Sequence, residues 1–125
     1  MTITVLIVDD SKLDREITKD LLKGTSYQIV AEAKDGIEGI NLAELHCPDI
    51  VILDWVMPIL DGMSALRGIK EVCPSARVVV ASSLGGWADA AAHAEFRGAD
   101  GVLAKPVSKD GLLHSLSEVL EFSWN

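Results

Sequence analysis

Continuous apolar runs alternate along the chain with segments in which apolar residues recur at helical spacing. The apolar runs predict five strands, near residues 3–8, 27–33, 49–53, 77–81 and 101–104. The other segments predict five helices, near residues 11–23, 36–46, 63–73, 86–97 and 109–121. Strands that are buried on both faces read as unbroken Val/Ile/Leu runs, and a helical segment separates each pair of them here. The pattern therefore predicts one doubly wound α/β domain with a central parallel sheet, spanning residues 1–125.

The first and last predicted helices each carry an apolar stripe at i, i+4 spacing. The stripe residues are Leu13, Ile17 and Leu21 in the first helix and Leu112, Leu116 and Leu120 in the last. A stripe of this kind packs against a sheet, so we expect these six side chains to face the core. Helix starts are indicated by Ser11 before Asp14 and by Asp35 before Glu38, both of which resemble capping boxes.

Composition excludes some classes of protein. The chain has a formal net charge of −8, with 49% apolar and 24% charged residues. An acidic surface disfavours direct binding to nucleic acid, whose phosphates attract Lys and Arg. Apolar stretches fall short of the roughly 18 residues that span a membrane, and a signal peptide is not recognisable at the start. We therefore expect a cytoplasmic protein that does not enter the membrane.

Two cysteines, Cys47 and Cys73, each precede a proline at the end of a predicted helix. Their positions do not follow the spacing of a metal site. In a cytoplasmic protein, such residues are expected to be buried or free thiols.

Polar residues end four of the five predicted strands. Asp9 and Asp10 follow the first strand, Asp54 the third, Ser82 the fourth and Lys105 the fifth. Because the carboxyl ends of parallel strands meet at one edge of a sheet, where ligands of such folds bind, we expect these side chains to converge.

Three carboxylates at one place need a cation. Two of them about 4 Å apart repel by roughly 4 kcal/mol at an effective dielectric constant near 20. Oxygen ligands of this kind suit Mg²⁺, with Mn²⁺ as an alternative. Lys105 adds a point charge suited to phosphate, and Ser82 adds a hydrogen-bond donor. The set indicates phosphoryl transfer to an aspartate nucleophile.

Six short motifs resemble those of the receiver domains of bacterial two-component response regulators, the chemotaxis type included. They are Val8-Asp9-Asp10-Ser11, Asp54-Trp55-Val56-Met57-Pro58, Asp61-Gly62, Ala81-Ser82-Ser83, Gly98-Ala99-Asp100 and Lys105-Pro106. Each motif is weak alone, but their order and spacing together are specific and cover essentially the whole chain. The resemblance implies a flavodoxin-like (βα)5 fold with strand order 2-1-3-4-5.

The resemblance also implies a role for each site residue. Asp54 matches the phosphoacceptor, which becomes a 4-aspartylphosphate by attacking a phosphohistidine on a sensor histidine kinase or phosphotransfer protein. Asp10 and Asp54 match direct ligands of Mg²⁺, Asp9 matches an acid that reaches the metal through water, and Val56 matches the residue that supplies a backbone carbonyl.

Three further positions match residues of the switch. Lys105 matches the phosphate-contacting lysine, and Pro106 follows it where the family often has a cis bond. Ser82 matches the hydroxyl residue that moves toward the phosphate. Val102 departs from the family, which usually has Tyr or Phe there, and valine has too little volume and χ1 freedom to replace a rotating ring. The departure concerns the ring-rotation half of the switch and leaves phosphate capture by Ser82 unaffected.

Output is expected from the surface formed by the fourth helix, fifth strand and fifth helix. The predicted fourth helix follows a Gly85-Gly86 pair and begins with Trp87, which could contact a partner or pack on its own helix. Many receivers pair through this surface, so a phosphorylation-dependent dimer is left open. The downstream partner is not indicated, nor is whether the receiver acts alone or within a longer protein.

Two other functions have to be weighed. An aspartate-nucleophile phosphatase would carry a second acid two residues after its nucleophile, where this chain has Val56. A receiver-like module that is not phosphorylated typically lacks the acids or the lysine, and this chain has all of them. We therefore favour a switch that forms and loses its own acyl phosphate, without turnover of an independent substrate.

Overall fold

The computed structural model describes residues 2–83 and 98–121. Five strands and four helices lie in these two ranges. They are β1 (Ile3–Val8), α1 (Lys12–Leu22), β2 (Tyr27–Ala33), α2 (Gly36–His46), β3 (Ile50–Asp54), α3 (Gly62–Val72), β4 (Arg77–Ser82), β5 (Gly101–Ala104) and α4 (Lys109–Glu121). The helix predicted near residues 86–97, with Trp87, lies outside the described residues.

All five strands belong to one parallel sheet with the order β2-β1-β3-β4-β5. The order reverses between β1 and β3, which is where ligands bind in doubly wound folds. The predicted fold class and strand order are confirmed.

Side chains of the sheet alternate between two cores. Leu6 and Val8 of β1 face a core shared with α2 and α3, whereas Val5 and Ile7 face a core shared with α1 and α4. This alternation follows from the period of two along a strand. Because β1 and β3 are apolar at every buried position except Asp54, both strands are covered on both faces, and their carboxyl ends are fixed within the sheet.

The prediction for the apolar stripe of α1 is wrong for Leu13 and Ile17, whereas Leu21 is partly buried and packs against the core. Leu13 is 69% exposed and Ile17 is 41% exposed, whereas Thr18 and Leu22 are buried. Successive residues of a helix are about 100° apart, so the inward stripe lies one residue later than expected. The stripe Asp14–Thr18–Leu22 faces inward instead, which directs a carboxylate toward the carboxyl edge of the sheet. In α4 the prediction is confirmed, since Leu112 and Leu116 are buried and Leu120 packs against the same core; Val119 is buried as well.

Helix starts agree with the capping signals. The side chains of Ser11, Asp35 and Asp61 each accept a hydrogen bond from the backbone N–H three residues later, at 3.1, 2.8 and 2.8 Å. Such caps satisfy backbone donors that have no partner inside the helix. Asp61 and Gly62 of the Asp61-Gly62 motif are thus the N-cap and the first residue of α3.

The prediction of free thiols is also wrong, because Cys47 and Cys73 form a disulfide. Each is the C-cap of its helix, and their Cα atoms are 5.6 Å apart. The two helices, α2 and α3, pack side by side on the same face of the sheet. Their ends therefore meet, which the spacing in sequence could not indicate.

Among residues 2–83 and 98–121, every helix is too short or too polar to cross a membrane.

The disulfide should stabilise the fold, since it closes a loop that includes β3 and α3. With a sequence separation of 26 residues, loop-closure entropy corresponds to about 3 kcal/mol. We expect reduction with dithiothreitol to lower the midpoint of thermal unfolding by on the order of 10 °C, measured by circular dichroism. A Cys47→Ser/Cys73→Ser variant should unfold near the reduced midpoint with or without reductant. An equal midpoint for oxidised and reduced wild-type protein would contradict the prediction.

Candidate functional site

The register of the sheet brings the polar strand ends to one edge. Val8 lies opposite Leu53, Asp54 opposite Ala81, and Ser82 opposite Ala104. The residues that follow β1 and β5 are therefore neighbours of Asp54 and Ser82. The convergence expected from the strand ends is what the structure shows.

Three carboxylates form a cluster at this edge. Asp9, Asp10 and Asp54 each place one oxygen within 4.8 Å of the others. Asp9 and Asp54 are buried, whereas Asp10 is exposed. Asp10 does not cap α1, because the N-cap of that helix is Ser11. Asp9 is held by the backbone N–H of Ser11, which donates to its Oδ1 at 2.9 Å. An all-oxygen set of this size, open on one side, fits a hard divalent cation.

Lys105 supplies the positive charge of the cluster. Its Nζ lies 3.0 Å from Asp9 Oδ2, 3.0 Å from Asp14 Oδ2 and 3.3 Å from Asp54 Oδ1. The backbone N–H of Lys105 donates to Ser82 O at 2.9 Å, which extends the β4–β5 pairing by one step. The Lys105–Pro106 bond is cis.

The electrostatics of the cluster oppose ionisation of Asp54. Burial and the charge of Asp9 raise the pKa of Asp54 to about 6, although Lys105 acts in the other direction. Burial lowers the pKa of Lys105, but its hydrogen bonds to Asp9 and Asp14 and the charge of Asp54 hold that pKa above its usual value. Without a further cation, the ammonium stays charged and ionisation of Asp54 is disfavoured.

Comparison with known proteins agrees with this geometry. The family model of the response regulator receiver domain matches residues 5–117. The chain belongs to the response regulator receiver family. Its members are phosphoacceptors of two-component signalling and switch on phosphorylation. That the receiver domain spans all of residues 1–125 stays a prediction.

The curated relatives include stand-alone chemotaxis proteins. The chain is 35% identical to the chemotaxis protein CheY of Halobacterium salinarum, over 93% of this chain and 95% of that one. It is 34% identical to CheY of Bacillus subtilis, over 93% and 96%. Among solved structures, the response regulator domain of Thermotoga maritima CheB superposes with a TM-score of 0.86 at 31% identity, covering 99% of this chain and 100% of that one.

The position where this receiver departs from its family is packed. Val102 is half-buried and lies with Val80, Ala99 and Trp55 in a small apolar cluster beside the site. Ser82 is buried at the end of β4. Trp55, the residue that follows Asp54, supplies an aromatic ring to this cluster, and both Trp55 and Val102 pack against Val80.

The loop after Asp54 is tightly built. The backbone N–H of Trp55 donates to Ala81 O at 3.0 Å, and its ring covers Gly62, where a Cβ would lie 2.6 Å from ring atom Cε3. Ile59 has φ +76°, and Leu60 N donates to Pro58 O at 2.9 Å, so the chain makes a γ-turn at a β-branched residue. Backbone strain of this kind costs on the order of 1–3 kcal/mol and clusters at functional sites. The loop carries Val56, whose backbone carbonyl stays a predicted metal ligand.

Sequence reasoning missed one member of the site, Asp14. It was interpreted only as a capping partner of Ser11, because the stripe of α1 was placed at Leu13 and Ile17. The signal that could have found it is the i, i+4 series Asp14, Thr18 and Leu22, which is less apolar but is the inward one.

The raised pKa of Asp54 predicts a pH-dependent effect on stability in metal-free protein. The folded pKa is about 6 and the ordinary value is 3.8, so ionisation destabilises the folded state as the pH rises between them. We expect Asp54→Asn to match wild type below about pH 4 and to exceed its free energy of unfolding by on the order of 2–3 kcal/mol above about pH 6. Urea unfolding in EDTA measures this.

Asp61→Asn is the matched control. The hydrogen bond from the backbone N–H of Ser64 lowers the pKa of Asp61, so this exposed acid stabilises the folded state in its ionised form. Its variant should lose stability relative to wild type as the pH rises. A pH-independent difference between Asp54→Asn and wild type would contradict the raised pKa that burial and the charge of Asp9 give Asp54.

Proposed function

We propose that this receiver is a phosphorylatable signalling switch in which Asp54 takes a phosphoryl group from a phosphohistidine of a sensor histidine kinase or phosphotransfer protein. The observation that carries the proposal is the position of Asp54, whose Oδ1 is 3.3 Å from Lys105 Nζ while its carboxylate adjoins those of Asp9 and Asp10. A buried carboxylate next to a fixed cation and a metal-binding acid pair is suited to become an acyl phosphate.

In the transfer, a carboxylate oxygen of Asp54 attacks the phosphorus atom. The new P–O bond forms as the P–N bond to the imidazole breaks, and the bonding electron pair returns to the imidazole nitrogen. Lys105 then faces the phosphoryl oxygens, where its ammonium offsets charge. Ser82, at the end of β4, is the hydroxyl proposed to donate to the phosphoryl group after transfer.

Mg²⁺ is the cation proposed for the acid cluster, and Mn²⁺ should substitute for it. Asp10 and Asp54 would bind it directly, Asp9 through water and Val56 through its backbone carbonyl. When bound, it supplies positive charge at the phosphoryl oxygens. The same set of groups catalyses both formation and hydrolysis of the protein's own acyl phosphate, without an independent substrate.

Exposed apolar side chains near the site support a protein as the phosphodonor. Leu13 and Ile17 lie on the outer side of α1, and Val56 and Ile59 lie on the loop after β3. Both elements begin at the carboxyl ends of central strands, so the four side chains flank the entrance to Asp54. An apolar rim around a polar centre suits a partner that delivers its histidine between them.

Output is proposed to leave through the surface of β5 and α4, together with the segment between β4 and β5. Val102 on this surface and Trp55, the residue after Asp54, both pack against Val80, which supports a link between the surface and the site. Partner binding or dimerisation through this surface would then depend on phosphorylation. We further propose a cytoplasmic location.

Acetyl phosphate provides the direct test of the function. With excess acetyl phosphate and Mg²⁺, wild-type protein should gain the mass of one phosphoryl group in rapid intact-mass spectrometry. Asp54→Asn should gain nothing, whereas Asp61→Asn, which alters an exposed acid on the same loop, should be modified like wild type. Unmodified wild-type protein, or modification that persists in Asp54→Asn, would refute the proposed acceptor.

Mg²⁺ should stabilise the protein by mass action. At about 100 times its dissociation constant, a ligand raises the free energy of unfolding by roughly 2.7 kcal/mol. We expect Asp10→Asn to weaken Mg²⁺ binding at least about tenfold, because one carboxylate ligand is lost. Thermal midpoints measured over a Mg²⁺ titration report both effects. Asp110→Asn, at the start of α4, is the matched control and should retain wild-type affinity.

A further inference from the structure

Asp14 is a fourth carboxylate at the site, and it comes from a helix rather than from a strand end. It lies in the first turn of α1, where its backbone N–H is capped by Ser11. Its Oδ2 is 3.0 Å from Lys105 Nζ, the same distance as that from Asp9 Oδ2. The ammonium of Lys105 is therefore shared among three carboxylates.

The number of donors on Lys105 limits what the ammonium can bind. A lysine ammonium has three N–H groups, and Asp9, Asp14 and Asp54 are three acceptors around it. A phosphoryl group on Asp54 brings several oxygens that need the same positive charge. One of the three carboxylates must then lose its hydrogen bond to the ammonium.

The exposed fractions of the side chains indicate which carboxylate loses its hydrogen bond to Lys105. The side chain of Asp9 is 9% exposed, and its second oxygen accepts from Ser11 N. Moving it away from Lys105 would leave a buried charge without its partner, which is strongly unfavourable. The side chain of Asp14 is 40% exposed, so it can turn to water at little cost.

We propose that Asp14 is a positioning residue that holds Lys105 in the unphosphorylated protein and competes with the phosphoryl group for its ammonium. The inference rests on the proposed function, because it concerns the same acceptor site. A phosphoryl group on Asp54 attracts Lys105, but it must displace Asp14 from the ammonium of Lys105. The loss of the Asp14–Lys105 ion pair reduces the net stabilisation of the phosphorylated form. Asp14 thereby limits the population of the phosphorylated form without touching the acceptor.

The test uses beryllofluoride, a mimic of the phosphoryl group, with full-length protein in excess Mg²⁺. Asp14→Asn should bind it about fivefold more tightly than wild type in isothermal titration calorimetry, which is the range expected for losing one partly exposed ion pair. Asp14→Glu, which keeps the charge, should stay near wild type. Asp20→Asn, on the same helix and paired with Lys23, removes an equal charge away from the site and should leave the affinity unchanged.

A second measurement follows Asp14 itself. In wild-type protein with labelled aspartate carboxyl carbons and Mg²⁺ present throughout, the ¹³C resonance of Asp14 should shift when beryllofluoride is added, because its bond to Lys105 breaks. The resonance is assigned by its loss in Asp14→Asn. A purely structural role of Asp14 in α1 would leave that resonance in place.

Several results would overturn the inference. They are an unchanged or weaker affinity in Asp14→Asn, an equal gain in Asp20→Asn, and an unmoved Asp14 resonance. If Asp14→Asn does not fold, Asp14→Ala is measured against the same expectation. Wild-type protein that neither binds beryllofluoride nor reacts with acetyl phosphate would overturn the proposed function and this inference together. Wild-type reactivity with an unresponsive Asp14 would overturn this inference alone.

Discussion

The crowding of like charges around one ammonium is the constraint on which the site depends. Two carboxylates about 4 Å apart repel by roughly 4 kcal/mol at an effective dielectric constant near 20. Asp9 and Asp54 are both buried at the sheet edge, so they can lie together only with compensating positive charge. Lys105 provides it, at 3.0 Å from Asp9 and 3.3 Å from Asp54. The residual repulsion is what makes this edge receptive to a divalent cation.

The scaffold holds these charges in place through rigid neighbours. β1 and β3 are packed on both faces, so the ends of both strands have fixed positions. Arg15 donates to the backbone carbonyl of Asp9 at 2.7 Å, which fixes the turn between β1 and α1. On the other side, the ring of Trp55 lies over Gly62 and holds the loop after Asp54. The backbone of the site is preorganised in this way, so the site changes state when its side chains exchange hydrogen-bond and ion-pair partners.

The orientation of α1 links the site to its surroundings. The helix is turned about 100° from the orientation that its apolar residues predict, so Leu13 and Ile17 face solvent. The same turn directs Asp14 toward Lys105. The rotation of α1 thus creates an apolar surface near Asp54. It also makes Asp14 an additional competitor for the ammonium of Lys105. Apolar residues of a helix near the carboxyl edge of the sheet therefore need not belong to the core. In α1 the exposure of Leu13 and Ile17 accompanies an inner face that carries the carboxylate of Asp14.

The sequence by itself determined the five strands, their parallel arrangement and the chemical identity of their ends. Strands buried on both faces are unbroken apolar runs, so Asp9, Asp54 and Lys105 could be placed at one edge without coordinates. The rotation of α1 and the Cys47–Cys73 disulfide were decided only by the tertiary structure. A strand end is set by local burial, which the sequence records directly. A helix's rotation and the meeting of two helix ends depend on the space that neighbouring elements leave, which no single segment encodes.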